Sequence, residues 1–370
     1  MIKMINNILQ LLDTDDIANV KLAFIMATSL PYGNDVAQKL REFPLYCLEY
    51  DVEMDYMMNL KSLVLSKNKL IILPKSIEKL QNLTKLDISY NKFTEFPESI
   101  CKLSNLKILI INDNSISEIP ESLKKLAKLA KLNIGCNKFT EFPESICELN
   151  DINHIIANDN CISEIPESLK KLKKLKTLNL ESNEISKFPE PICGLSNLKK
   201  LNLNYNYLTS IPIYIGKLKS LYWLGLYNNI ISKLPDSIGD LGNLINLFLG
   251  NNELIKLPKS ICKLKRLQIL GVSCNSLISL PDSIGNLTNL KTLDFTNNSL
   301  EKLPNSIDNM IKLEEFRLSY NLLEKLPDMM GNMVKLERLY LNGNRLSKLP
   351  ESINKLPNLD ILDMKNNSPR

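Results

Sequence analysis

Residues 60–82 read LKSLVLSKNKLIILPKSIEKLQN, and this stretch decides the fold because its pattern returns every 23 residues. The pattern LxxLxLxxNxLxxLPxxIxxLxx begins at Leu60 and gives thirteen full units through residue 358, without one insertion or deletion. A shorter copy follows at residues 359–370. We therefore predict a repeat array over residues 60–370, preceded by a separate segment at residues 1–59.

Each unit has too few apolar residues to fold alone. Leu60, Leu63 and Leu65 alternate with outward places, which predicts a short strand with its leucines in the core. The units must therefore stack on one another to bury their flat sides. Proline at the fifteenth place fixes φ and lacks an N–H, which favours an irregular, 3-10 or polyproline-like outer segment. Strands on one side and looser turns on the other predict a curved stack with a parallel sheet on its concave face.

Asparagine occupies the ninth place of every copy, where the chain leaves the strand. Its side-chain amide both donates and accepts, so it can satisfy backbone groups in the adjacent turn that are costly to bury unpaired. Stacked units would align these amides in a ladder, formed by Asn68, Asn91, Asn114, Asn137, Asn160, Asn183, Asn206, Asn229, Asn252, Asn275, Asn298, Asn321, Asn344 and Asn367.

With these motifs, residues 60–370 resemble leucine-rich repeat proteins. The 23-residue LPxxIxxLxxL form is similar to that of the plant intracellular Ras-group and Scribble-like members, and to bacterial relatives. The resemblance implies an α/β-type repeat solenoid, a right-handed horseshoe or arc with a parallel concave sheet. It also implies a cytoplasmic protein-binding module with a role in signalling or host interaction.

The two ends of the chain depart from the repeat. Ile5, Ile8, Leu11 and Leu12 have helical spacing, and so do Val20, Leu22, Phe24 and Ile25 after the capping candidates Asp15 and Asp16. We expect two or three short helices in residues 1–59 that cap the first repeat. The partial copy at residues 359–370 predicts an open sheet edge, through which copies of the chain could self-associate.

Composition argues against several classes of function. The chain has 46 basic and 41 acidic residues, a net charge of +5, and one histidine, so neither a nucleic-acid partner nor a histidine-rich metal site is expected. No apolar run approaches the ~18 residues of a membrane span, and no phosphate-binding or hydrolase motif occurs. Cysteines that recur two repeats apart lie beyond disulfide reach. We predict a cytoplasmic protein with reduced thiols, without cofactor or metal, that is not an enzyme.

The predicted partner site lies on the concave face, where the third and fifth places point outward. Middle repeats carry large aromatic residues there or on the rim, and such residues are enriched at binding hot spots. The alternative is an aromatic ladder in which these rings pack on each other across strands. Outward lysines and a histidine have the alternative of a merely solvated surface. The candidate binding residues are Tyr205, Tyr222, Trp223, Tyr227, Phe248, Lys131, His154, Lys200, Arg317 and Tyr340.

Two functions remain open at this point. The first is a non-enzymatic scaffold that binds a protein or peptide on the concave face, oriented by charges of opposite sign at the two ends. The second is the substrate-recognition part of an enzyme or effector whose catalytic domain lies outside this chain. A purely structural protein without a defined ligand is a weaker third reading.

Overall fold

The computed structural model describes residues 2–368, which divide into two compact units. The first unit runs to Phe139 and includes Pro143–Ile155. The second contains Thr140–Phe142 and the chain from Ile156 onward. The helical segment and the earliest repeats thus belong to one compact unit.

Five short helices occupy residues 2–59, more than the two or three that we expected. Asp16 caps the second helix, since its Oδ1 accepts a hydrogen bond from the Ala18 N–H at 2.9 Å. In that helix Val20 and Phe24 are buried, whereas Leu22 and Ile25 are exposed, because the latter pair lies on the opposite side. The helices are α1 Ile2–Leu12, α2 Ile17–Ala27, α3 Asn34–Leu40, α4 Pro44–Glu49 and α5 Met54–Asn59.

Helices α4 and α5 contact the first repeat directly. The Ser76 hydroxyl of that repeat donates to the carbonyl of Leu48 at the end of α4. The Asn82 amide donates to the carbonyl of Met58 in α5 at 3.0 Å. These contacts cover the side of the repeat that has no preceding neighbour, as a cap must.

Fourteen three-residue strands follow, each at the third to fifth places of its repeat. In the first unit β1 to β4 pair in chain order, and in the second unit β6 to β14 do the same, always in parallel and always 23 residues apart. The strands are β1 Ser62–Val64, β2 Lys85–Asp87, β3 Ile108–Ile110, β4 Lys131–Asn133, β5 His154–Ile156, β6 Thr177–Asn179, β7 Lys200–Asn202, β8 Trp223–Gly225, β9 Asn246–Phe248, β10 Ile269–Gly271, β11 Thr292–Asp294, β12 Glu315–Arg317, β13 Arg338–Tyr340 and β14 Ile361–Asp363.

Short 3-10 helices follow the prolines, as the missing N–H and fixed φ predict. They lie at Lys75–Lys79, Glu98–Lys102, Glu121–Lys125, Glu144–Glu148, Glu167–Lys171, Glu190–Gly194, Ile213–Lys217, Asp236–Asp240, Lys259–Lys263, Ile284–Asn286, Asn305–Asn309, Met330–Asn332 and Glu351–Lys355. The parallel sheet on one side and 3-10 turns on the other confirm an open repeat solenoid.

The core consists of the leucines at the fourth and sixth places and the apolar residues of the outer segment. In β8, for example, Leu224 is completely buried, and so is Leu226 directly after the strand. In β14, Ile361 and Leu362 are instead 42% and 41% exposed. Self-association through that strand stays a prediction.

A left-handed residue stands at the eighth place of every copy, directly before the asparagine. These residues have φ between 49° and 71°, although only one of them, Gly343, is a glycine. The others are Lys67, Tyr90, Asp113, Cys136, Asp159, Ser182, Tyr205, Asn228, Asn251, Cys274, Asn297, Tyr320 and Asn366. The turn out of each strand therefore imposes a backbone conformation that side chains ordinarily avoid.

Candidate functional site

The asparagine ladder forms through the amides at the ninth places. Asn206, only 5% exposed, shows the bonding: its Oδ1 accepts the Ile185 N–H of the preceding repeat at 3.0 Å. Its Nδ2 donates to the Leu180 carbonyl of that repeat at 2.9 Å and to its own repeat at the Leu203 carbonyl. The same bonds recur at Asn183, Asn229 and later repeats. The ladder holds consecutive strands in register and so positions the side chains between them.

The outward side chains at the third, fifth and seventh places of the second unit form a surface that we call the open face. Trp223 in β8 packs on Phe248 in β9, with ring centroids 5.4 Å apart and planes at 47°. The Lys200 ammonium lies over the Trp223 ring at 4.6 Å from its centroid. Cross-strand ring contacts and a cation over an aromatic face both stabilise this arrangement, which leaves Trp223 and Phe248 half-buried.

A second ring pair lies beside the first. Tyr205 and Tyr227 form an edge-on contact with centroids 5.5 Å apart. Burial raises the pKa of the Tyr227 hydroxyl, and the neighbouring Tyr205 adds to that rise. Tyr205 and Tyr222 remain 46% and 40% exposed. Four of the five predicted aromatic residues thus form pairs, as the ladder alternative predicts, but the rings also present exposed surface to solvent.

Glycines allow these rings to lie against the sheet. A Cβ at Gly225 would stand 2.5 Å from a carbon of the Trp223 ring, and one at Gly250 would stand 2.9 Å from the Tyr227 ring. Real Cβ atoms do not approach other atoms so closely, so neither ring could keep its position beside alanine. The small residues of the open face therefore define where the aromatic groups sit.

The far end of the open face is dominated by charged residues. Arg317 Nε donates to Glu315 Oε1 at 2.6 Å, and its guanidinium lies over the Tyr340 ring at 5.7 Å. The bond to Glu315 raises the pKa of Arg317 above its usual value, with a smaller contribution from the charge of Asp294. Arg338 also reaches Glu315, at 3.5 Å. Glu315 is only 8% exposed, so these two cations stabilise a buried carboxylate.

A cavity of about 280 Å³ lies between the aromatic pairs and this charged end. Tyr227 and Phe248 line one side, Gly250 and Gly271 leave space in the middle, and Asp294 lines the other side. Ser273, Thr292 and Arg317 also line it. The sequence analysis missed the glycines, Ser273 and Asp294 as a group. Glycines at the fifth and seventh places of consecutive repeats were the signal that could have revealed the cavity.

A larger groove of about 1100 Å³ runs along the Leu-Pro segments of four consecutive repeats, from Lys233 to Asn305. Its lining is the same run of places repeated four times, so it results from the proline-led turns that every repeat contains. The smaller cavity depends on residues that differ from repeat to repeat, and we regard it as the more informative site.

Two predicted site residues belong to the first unit. Lys131 is exposed at the start of β4. His154 is half-buried at the start of β5, and its Nδ1 contacts the Asn153 side chain. Lys200, Arg317, Tyr340 and the five aromatic residues all belong to the second unit. The structure therefore groups most of the predicted residues in one unit, without Lys131 and His154.

Within residues 2–368, no group of three or more histidine, cysteine or acidic side chains has an arrangement that could hold a metal ion. No helix in that part of the chain is both long and apolar enough to cross a bilayer. The site can therefore be described by its aromatic, charged and hydrogen-bonding groups.

Comparisons with known proteins agree with this description. Leucine-rich repeat family models match residues 59–80, residues 81–208 in overlapping stretches, and residues 270–369, the last as a leucine-rich repeat region. No curated protein matches in sequence.

Solved structures are similar over most of the chain. A leucine-rich repeat protein of Leptospira interrogans is 27% identical with a TM-score of 0.74, covering 94% of this chain and 99% of its own. An internalin of Listeria monocytogenes is 23% identical with a TM-score of 0.75, over 84% of this chain and 89% of its own, which shows the fold alone. A plant peptide hormone receptor, solved in complex with RGF2, is 29% identical with a TM-score of 0.67, over 85% of this chain and 57% of its own.

Proposed function

The chain belongs to the leucine-rich repeat family, and on that premise we propose that the open face of its second unit binds a protein or peptide partner without catalysing a reaction. The pairing of Trp223 with Phe248 carries this proposal, since large rings held at fixed positions on an outward sheet surface are typical of binding hot spots. The plant peptide hormone receptor, whose structure contains a bound hormone, supports a peptide-binding role.

Charge gives the proposed partner an orientation. Lys200 stands at the aromatic part of the open face, whereas Asp294 and Glu315 stand towards its other end. A partner segment with an acidic residue near Lys200 and a basic residue near Asp294 would match both ends. We further propose that the protein acts in the cytoplasm as a signalling or host-interaction scaffold. A nucleic acid is not proposed, since the aromatic groups are flanked by acidic as well as basic residues.

The test is affinity capture with the immobilised protein from a lysate of the organism that encodes it, followed by mass spectrometry. The double variant Trp223→Ala/Phe248→Ala should lose the captured partner. The matched control Tyr214→Ala removes another exposed ring, which stands on a 3-10 helix outside the open face, and should keep it. Equal capture by the double variant and the native chain, with circular dichroism showing both folded, would refute the assignment of the site.

A further inference from the structure

The cavity beside Phe248 is a gap in the row of fifth-place residues. Phe248 in β9 pairs with Gly271 in β10, and Gly271 pairs with Asp294 in β11. The glycine therefore leaves an opening between a ring and a carboxylate whose strands are two spacings, about 10 Å, apart. A Cβ at Gly271 would meet only Phe248 Cδ1, at an ordinary 3.7 Å, so the space above it is open.

The neighbouring row of seventh-place residues continues the gap. Gly250 stands 23 residues after Tyr227 and 23 before Ser273. The position of an ideal Cβ on Gly250 is 2.9 Å from the Tyr227 ring and 3.0 Å from Ser273 Oγ. The two side chains thus close over this glycine and define one edge of the cavity. Its volume of about 280 Å³ lies below the range of pockets for drug-sized ligands and suits a single side chain.

The charge in the cavity is negative on balance. Asp294 Oδ1 accepts the Thr296 N–H at 2.9 Å, and no ion pair within the described chain involves Asp294. Arg317, the cation that lines the cavity, is held by Glu315 at 2.6 Å and lies over the Tyr340 ring. Asp294 and Glu315 carry two negative charges against one on Arg317. A carboxylate opposite an aromatic ring is the combination that attracts a cation.

We propose that this cavity receives the cationic side chain, arginine or lysine, of a peptide segment bound to the open face. The inference rests on the proposed function and names the side chain that the partner would insert. The alkyl stem would lie over Gly271, against Phe248. The charged head would reach Asp294, with the Ser273 and Thr292 hydroxyls as further acceptors.

The experiment uses the full chain and four small probes, the N-acetyl methylamides of arginine, lysine, citrulline and leucine. Citrulline has nearly the shape of arginine without its charge. Trp223 is the one tryptophan of the chain and contacts Phe248 in the cavity wall, so its fluorescence reports binding. We expect the arginine and lysine probes to bind about tenfold more tightly than the citrulline and leucine probes.

Two variants, each with a matched control, assign binding to the cavity. Gly271→Val should fill the opening and abolish the fluorescence response, while Gly242→Val, at a position with no atom within 4 Å of its Cβ, should not. Asp294→Asn should remove the preference for charge. Its control Asp363→Asn alters a residue with the same place and the same bond to the N–H two residues on, but three strands away.

Equal affinity for the arginine and citrulline probes, or an unchanged response in Gly271→Val, would overturn the inference. Because the probes need no natural partner, this result is independent of the capture experiment. If capture depends on Trp223 and Phe248 but the probes show no charge preference, the proposed function stands and the cation site falls.

Discussion

Replacing one ladder asparagine tests whether these amides hold the solenoid together. In the variant Asn206→Ala, the Ile185 N–H and the Leu180 carbonyl both lose their side-chain partner. Asn206 is 5% exposed, so water cannot easily replace the amide. An unsatisfied buried group costs about 1–3 kcal/mol, and we therefore expect the two groups together to reduce the free energy of unfolding by about 2–4 kcal/mol.

The matched control is Asn197→Ala. Asn197 also bonds across repeats, with its Nδ2 donating to the Lys173 carbonyl at 2.8 Å, but it is exposed and water can take its place. Its replacement should cost less than about 0.5 kcal/mol.

Urea unfolding followed by the fluorescence of Trp223, which lies one repeat beyond Asn206, gives both free energies. Amide hydrogen exchange should show faster opening around Ile185 in Asn206→Ala alone. Similar costs for the two variants would refute the idea that burial of the ladder gives it its strength.

Two further predictions concern backbone strain and thiols. Ser182 has φ of 53°, so Ser182→Gly should raise the free energy of unfolding by about 0.5–1 kcal/mol, whereas Ser186→Gly, outside the left-handed region, should lower it; urea unfolding of both variants decides. At pH 8 a thiol reagent should label the exposed Cys274 within minutes and leave the buried Cys193 unlabelled until urea is added. Burial raises the pKa of Cys193 from 9.0 to about 11, so its thiol contribution to stability is fully present below pH 9 and is lost as pH rises towards 11, which unfolding measured across that interval would show.

The sequence predicts the repeated parts of the structure well because each has one physical cause that recurs. Alternation around Leu224 and Leu226 is enough to place strand β8 and its buried face. The left-handed eighth place was not predictable from composition, since Lys67, Tyr205 and Cys274 share no conformational preference. There the turn and the following asparagine impose the conformation on whatever residue stands before it.

The N-terminal segment shows a different limit. Phe24 and Leu22 are both apolar and belong to the same helix, but only Phe24 is buried, against Phe43 and tyrosines of α4. Without a repeat, one copy of a pattern cannot distinguish a residue that faces the core from one that faces solvent. The number of helices was underestimated for the same reason, since six- and seven-residue helices such as α3 to α5 hold too few residues to show a period.

The glycines of the open face connect fold to function. Gly225, Gly250 and Gly271 do not have positive φ, so the backbone does not require glycine at these places. Other repeats carry larger residues there, for example Asp294 and Arg317 at the fifth place. What the three glycines share is an aromatic ring close above them, at 2.5, 2.9 and 3.7 Å from the position of a Cβ. Because the solenoid itself would accept side chains at these positions, their absence is explained by the shape of the surface, and surface shape is what a binding partner recognises.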